Sequence, residues 1–246
     1  MRNLIVGLGW LSPFVPIVLW PHTKIWGFVI MAGLHALWLY PTLRPNVQWF
    51  GPVFTRFDSA GREVWLTIDD GPAADTTQIL EMLASRSVRA TFFLKGELAS
   101  ERRDFVQAIV AAGHSLGNHS YSHRSAIFWC LPKPWIESEI DRCTSVLGDL
   151  RLFRAPVGMK NPAVHPALEA RRMRLIGWSA RGFDGVSADP ERVASRIIPN
   201  VEPGAIIVMH QGRSQSIACL ERVVDALQTA GYSFVIPDED RLKTNR

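Results

Sequence analysis

From residue 64 onward the chain alternates short apolar runs with amphipathic ones, and this alternation constrains the fold more than any other feature. Strand-like runs fall at 64–68, 90–94, 114–117, 152–154, 174–179, 205–209 and 233–236. Helix-like runs lie between them at 75–85, 101–112, 134–147, 162–172, 190–198 and 215–230. Pro134, Pro162 and Pro190 open three of these, where a fixed φ and a missing N–H suit the first helical turn. Strands alternating with helices predict a parallel α/β fold, either a barrel or an open sheet.

The first 45 residues are different. Two apolar stretches, 4–20 and 25–40, are joined by a short turn-like link at 21–24. Each is slightly shorter than the roughly 20 residues that cross a bilayer unaided. Trp10, Trp20, Trp26, Trp38 and Tyr40 fit an interfacial aromatic belt. A hairpin of two short spanning helices is expected over residues 4–40, with a monotopic, re-entrant hairpin as the alternative. A second apolar stretch and a poor cleavage site argue against a signal peptide. Arg2, Arg44 and Arg56 outnumber Lys24 in the loop, which favours the cytoplasmic side of a bacterial inner membrane for the rest of the chain. The expected organisation is a membrane-associated hairpin at 1–45, a linker at 46–62 and a catalytic domain at 63–246.

Charge and cysteine content narrow the partners. A formal charge of +4 without a basic, aromatic-interleaved run excludes a dedicated nucleic-acid binder. Cys130, Cys143 and Cys219 are odd in number and lack Cys-x-x-Cys spacing, so neither a disulfide framework nor a cysteine zinc site is expected.

The polar residues of interest follow the apolar runs, and in a parallel α/β fold those strand ends share one face. Asp69 and Asp70 follow the first run. Asp-Asp-Gly-Pro alone is ordinary turn chemistry, but adjacent carboxylates repel unless a cation or shared proton relieves them. His119 and His123, four residues apart, can aim two imidazoles at one divalent metal. Asp70 supplies an anionic third ligand and leaves positions for water and substrate, with Asn118 and Ser120 orienting the ligands. Zinc is the default ion, with cobalt, nickel or manganese as alternatives. Arg154 is placed to pair with Asp69 and hold it ionised as a base. His210 is a natural proton donor to a leaving amine.

In this order the residues resemble the polysaccharide deacetylase family with the NodB homology domain, carbohydrate esterase family 4, over about residues 62–237. Thr67-Ile68-Asp69-Asp70-Gly71-Pro72 resembles Thr-Phe-Asp-Asp-Gly-Pro, which implies Asp69 as catalytic base and Asp70 as metal ligand. His119-Ser120-Tyr121-Ser122-His123 is similar to the motif that supplies two metal histidines. Arg154-Ala155-Pro156-Val157-Gly158 resembles Arg-x-Pro-x-Gly, whose arginine orients the base, and Val208-Met209-His210 resembles Leu-x-His, whose histidine is the general acid. The resemblance implies a distorted (β/α) barrel of about seven strands after the helical hairpin.

Three departures stand out. Ile68 replaces phenylalanine, and Val157 replaces a common aromatic, removing a sugar-stacking surface. Asp184 keeps an acid of the fourth motif without the tryptophan that usually follows; it is a candidate to tune Arg154 or His210, and Arg181 is an alternative contact for an anionic substrate. The expected activity is metal-dependent removal of acetyl from an N-acetylated sugar, lipid-linked or part of an envelope glycan, with the Val157 backbone N–H assisting at the oxyanion. Alternatives are a soluble chitooligosaccharide substrate, an O-acetyl or formyl group, or a silent glycan- or lipid-binding module.

Overall fold

The computed structural model of the chain describes residues 1–23 and 25–244. Three helices come first: α1 (Arg2–Leu11), α2 (Val15–Thr23) and α3 (Ile25–Leu43), with a 3-10 turn at Ser12–Phe14. The 3-10 turn contains Pro13, so the first apolar stretch is divided where proline withholds an N–H. The helix then continues to Thr23, through most of the expected link; Lys24 lies outside the described residues.

The helices form an antiparallel hairpin. Ser12 Oγ lies 3.4 Å from His35 Nδ1, and the Trp20 and Phe28 rings are 6.2 Å apart. Gly9 packs so closely on Trp38 that a Cβ there would sit 3.1 Å from the indole. The outer surface stays apolar and exposed, with Leu4, Ile17, Val18, Ile25 and Trp26 each more than 60% accessible. Contiguous exposed apolar surfaces of this kind are found at protein–protein and membrane contact sites. Among the described residues, Ile25–Leu43 is the one helix long and apolar enough to cross a membrane. Its 19 residues would extend about 28 Å.

The rest of the chain runs β1 (Phe54–Phe57), β2 (Glu63–Gly71), α4 (Thr76–Ser85), β3 (Ala90–Leu94), α5 (Gly96–Glu101), α6 (Arg103–Ala111), β4 (Ser115–Asn118) and α7 (Lys133–Leu147). It continues through β5 (Leu152–Phe153), α8 (Val164–Glu169), β6 (Arg174–Leu175), β7 (Ala180–Arg181), α9 (Pro190–Ile197), β8 (Ala205–His210), α10 (Ser216–Thr229), β9 (Ser233–Phe234) and β10 (Leu242–Thr244). The sheet order is β10-β1-β8-β2-β3-β4-β5-β6, with β7 beside β8 and β9 beside β2. Pairings from β8 to β6 are parallel, while β1 is antiparallel to β8 and β10. A bridge between Phe54 and Ile176 brings the ends of the curled sheet together, giving a distorted barrel.

Among the described residues, ten strands replace the expected seven or so. The antiparallel β1 and β10 are additions, and the run at 174–179 is strand only at β6, with β7 beginning just after it. Between those two strands, Gly177 N–H donates to the Phe54 carbonyl (2.8 Å), and the Trp178 carbonyl accepts from Asn46 Nδ2 (2.7 Å). These long-range partners take the backbone groups that a continuous strand would have offered its neighbours.

Strand alternation decides what reaches the site. Val64, Leu66 and Ile68 of β2 enter the core shared with α4, α9 and α10. Trp65 points the other way, joining Phe57, Phe93, Ile176 and Ile206 inside the curl. Thr67 and Asp69 share the parity of Trp65, so the strand that buries an indole at one end delivers a carboxylate at the other. α10 buries Leu220, Val223, Val224 and Leu227 at helical spacing. Each fully buried side chain of this kind contributes about 1.5–3 kcal/mol.

The segment after the hairpin is packed against the barrel. Phe50 and Val53 are about 1% accessible, and Pro45 lies against Gly158. Lys160, wholly buried, donates from Nζ to the carbonyls of Pro41 (3.4 Å), Arg44 (2.9 Å) and Pro45 (2.7 Å). One side chain thus satisfies carbonyls that the C-terminal end of α3 leaves without helical partners. Lys160→Met should lower unfolding free energy by roughly 1–3 kcal/mol, the range for buried polar groups stripped of partners. Denaturant unfolding of the full chain in detergent measures it; an unchanged midpoint would show that the clamp carries no stability.

Candidate metal centre and acid–base pair

Five strand ends deliver the side chains singled out in the sequence. β2 ends in Asp69 and Asp70, and the positive φ of Asp70 (76°) turns its side chain out of the strand alternation. β4 leads into His119, β5 into Arg154, β7 towards Asp184, and β8 ends in His210.

Arg154 and Asp69 form a buried ion pair, Nη1 to Oδ1 2.7 Å, with side chains 1% and 4% accessible. The guanidinium also donates to Thr67 Oγ1 (2.7 Å), the Ile176 carbonyl (3.2 Å) and the Gly177 carbonyl (3.0 Å), and lies over the Phe93 ring. Burial pushes the Asp69 carboxyl above its usual range, while Arg154 and then His210 pull it back.

Asp70, His119 and His123 offer ligand atoms that all lie within 4.8 Å of one another. The two Nε2 atoms are 3.1 Å apart, and Asp70 Oδ1 is 3.4 Å from His123 Nε2 and 3.9 Å from His119 Nε2. His119 Nδ1 lies 2.8 Å from the Arg154 carbonyl, an acceptor, so Nδ1 carries the proton and Nε2 presents its lone pair. Burial pushes His119 down to about 4; burial and the neighbouring His119 push His123 down to about 3. Burial works against the Asp70 charge, but His119, His123 and Lys95 hold it well below the usual carboxylate range. Two neutral imidazoles and one ionised carboxylate are the protonation states a divalent ion requires. Asp70 Oδ1 is buried with no aligned hydrogen-bond donor, although Lys95 Nζ lies 2.9 Å away as an ion pair. The donor set therefore fits a divalent metal.

The loop between the histidines is held at several points. Asn118 Nδ2 donates to the Ile140 carbonyl (3.0 Å), and its Oδ1 accepts from Ser120 N–H (2.9 Å). Ser120 Oγ accepts from His123 N–H (3.2 Å). Glu139 on α7 accepts from Ser122 N–H and Oγ, each at 2.8 Å. His123 adopts φ 48°, a strained conformation for a non-glycine residue, and these bonds maintain it.

His210 faces Asp69 and Asp70 with its back to Asp184. Asp184 Oδ1 is 3.0 Å from His210 Nδ1, and Oδ2 accepts from His210 N–H at 2.6 Å. Burial pushes the imidazole down, but the Asp184 hydrogen bond and charge outweigh it, with help from Asp69 and Asp70, and the net direction is upward. Of the two expected partners for Asp184, the structure pairs it with His210; Arg154 goes to Asp69.

Asp69, Asp70, His119, His123 and His210 line one cleft with Val157, Trp178 and Arg181. Its volume is about 70 Å³, far below the roughly 300–1,000 Å³ that engulfs a whole ligand, so it suits a reacting group with the remainder outside. Arg181 lies against the Trp178 and Phe183 rings at 5.1 and 4.1 Å, and its buried Nε has no partner. Sequence reasoning missed Lys95 and Trp178. Lys95 immediately follows the run at 90–94, the same positional signal that identified the others.

The model of the polysaccharide deacetylase family matches residues 58–176. A peptidoglycan-N-acetylglucosamine deacetylase of Bacillus cereus is 33% identical over 70% of this chain and 66% of its own length. A chitooligosaccharide deacetylase of Azorhizobium caulinodans is 29% identical over 70% of this chain and 90% of its own. A longer bifunctional relative is spanned over 29% of its length. A family 4 carbohydrate esterase from Streptomyces lividans, solved with acetate, superimposes with a TM-score of 0.68 at 26% identity, covering 77% of this chain and 100% of the other.

His123→Ala should reduce bound zinc from near one equivalent to near zero by elemental analysis, with the circular dichroism spectrum retained. Zinc affinity should change little between pH 8 and 6, because the histidines gain protons only near their depressed values. A steep loss over that interval would contradict the assigned protonation states.

Proposed function

This chain belongs to the polysaccharide deacetylase family, and from that premise we propose that it deacetylates an N-acetylated sugar presented at a membrane surface, through Asp69, His210 and a metal held by Asp70, His119 and His123. The observation that carries this reading is the opposition of two proton-transfer groups across the metal ligands. Asp69 is paired with Arg154 on one side, and His210 is backed by Asp184 on the other.

A divalent ion bound by those ligands supplies Lewis-acid polarisation of the acyl oxygen and acidifies water. Zinc suits the two imidazoles and one carboxylate, and cobalt, nickel and manganese are accommodated by the same donors. Asp69, whose anionic form the Arg154 ion pair favours against burial, accepts the proton of the attacking water. The Val157 backbone N–H, at the cleft, is assigned to the developing oxyanion. His210, protonated through Asp184, donates to the departing sugar nitrogen, leaving a free amine and acetate. The same residues serve an O-acetyl ester or a formamide, so the amide substrate rests on the family. The complete set of proton-transfer and metal-binding side chains favours an enzyme over a silent binding module.

The hairpin supports membrane presentation. Its exposed apolar surface suits lipid, and the Lys160 clamp joins α3 to the loop that carries Val157. Arg2, Arg44 and Arg56 favour the cytoplasmic face. A sugar on a lipid carrier or an envelope glycan gains effective concentration from such an anchor.

Acetate release from N-acetyl sugars by the zinc-loaded full chain tests the activity. Asp69→Asn should lower kcat on the order of 10²–10⁴-fold while bound zinc stays constant; turnover at the wild-type rate would remove Asp69 from the scheme. A second measurement addresses His210. Its folded pKa is raised, so the acid form persists to higher pH, and activity falls as pH rises through that value. Asp184→Asn removes the raising partner and should move the alkaline limb of the kcat profile to lower pH. An unmoved limb would leave His210 without the role of acid.

A further inference from the structure

Beside the metal ligands lies a second, larger concavity of about 570 Å³, between the β2–α4 loop, α5 and the β8–α10 loop. It shares Asp70 and Lys95 with the metal centre, so whatever occupies it is contiguous with the reacting group. Its wall carries two further cations, Arg102 and Arg213. Arg102 Nη1 donates to the Pro72 carbonyl (2.8 Å), and among the described residues neither arginine has a carboxylate within ion-pair distance. The other polar group is Gln211, 1% accessible, with Nε2 buried and unpartnered. The orientation of that amide follows from its neighbours. Thr76 Oγ1 accepts from Ala73 N–H (2.9 Å), so its own proton goes to Gln211 Oε1 (3.0 Å), and Nε2 is turned against the backbone at Gly71. Opposite charge enters through Asp75, whose Oδ2 accepts from Gly212 N–H (2.8 Å) and whose Oδ1 is a buried acceptor without a donor.

We propose that this groove is a subsite for a phosphate group attached to the N-acetylated sugar, making the substrate a glycosyl phosphate or diphosphate rather than a neutral glycan. The proposal rests on the deacetylase reading. Two unpaired guanidinium groups and an ammonium match the charge and the several oxygens of a phosphate. Contiguity through Asp70 places the attached sugar at the metal ligands. A carbohydrate bearing a phosphate spans both, with the phosphate on the cations and the acetamide at the metal ligands.

The test uses the zinc-loaded full chain in detergent and the double variant R102Q/R213Q. Inorganic phosphate binding by calorimetry should weaken on the order of tenfold or more in the variant, with bound zinc unchanged. Undiminished binding would place phosphate on the metal and overturn the subsite. This readout is independent of turnover, so it separates failure of the subsite from failure of the deacetylase reading. In activity assays, kcat/KM for N-acetylglucosamine 1-phosphate should exceed that for the neutral methyl glycoside, and the ratio should fall about tenfold in the variant. Dependence on the arginines with this soluble probe assigns the phosphate to the sugar. Dependence only with the same sugar on a prenyl diphosphate in vesicles assigns it to a lipid carrier. Dependence with neither, or a preference abolished by R181Q alone, overturns the groove as the phosphate site.

Discussion

The buried ion pair between Arg154 and Asp69 is the interaction on which the rest of the site depends. Removing both charges from water costs several kcal/mol per ion, and mutual attraction offsets this only when the remaining hydrogen-bonding groups are satisfied. Arg154 meets that condition with Thr67, two carbonyls of the chain after β6 and the face of Phe93. Its own carbonyl receives His119 Nδ1. One residue thus pairs the proposed base, fixes the tautomer of a proposed metal ligand and holds the chain where the curled sheet closes on Phe54.

A parallel arrangement operates across the cleft, where Asp184 stands to His210 as Arg154 stands to Asp69. Asp184 binds both the ring and the backbone N–H of His210, so the imidazole is oriented and its protonated form favoured. Two carboxyl groups within one small site are driven to different ends: His119, His123 and Lys95 hold Asp70 low, whereas burial dominates at Asp69. Environment alone separates a ligand from a base in adjacent residues of identical chemistry.

The hairpin is joined to this chemistry through packing as well as through the chain. Lys160 ties the end of α3 to the segment following Gly158, and Asn46 bonds the backbone at Trp178, a residue of the cleft wall. Residues 46–53, read from sequence as linker, contribute Phe50 and Val53 to the interior. Asn46, Gln48, Gly51 and Pro52 make the segment read as a connector, because partners such as Trp178 for Asn46 and His165 for Gly51 lie more than a hundred residues away.

Much was legible in the sequence because it is encoded locally. Period-2 and helical apolar patterns mark β2, β3, β8 and α10, and the position of Asp69, His119, Arg154 and His210 after apolar runs places them at one end of a parallel sheet. Short strands such as β1 and β10 carry too few residues for a pattern, and they exist because neighbours complete their hydrogen bonds. Only tertiary structure decided that Asp184 serves His210, that Lys160 clamps the hairpin, and that Arg102 and Arg213 border one groove with Gln211. The sequence determined which reactive groups are present and on which strand ends they ride, since those follow from local periodicity. The fold alone determined which of them meet, because distance, burial and the loss of water between remote segments set their pairing and their charge.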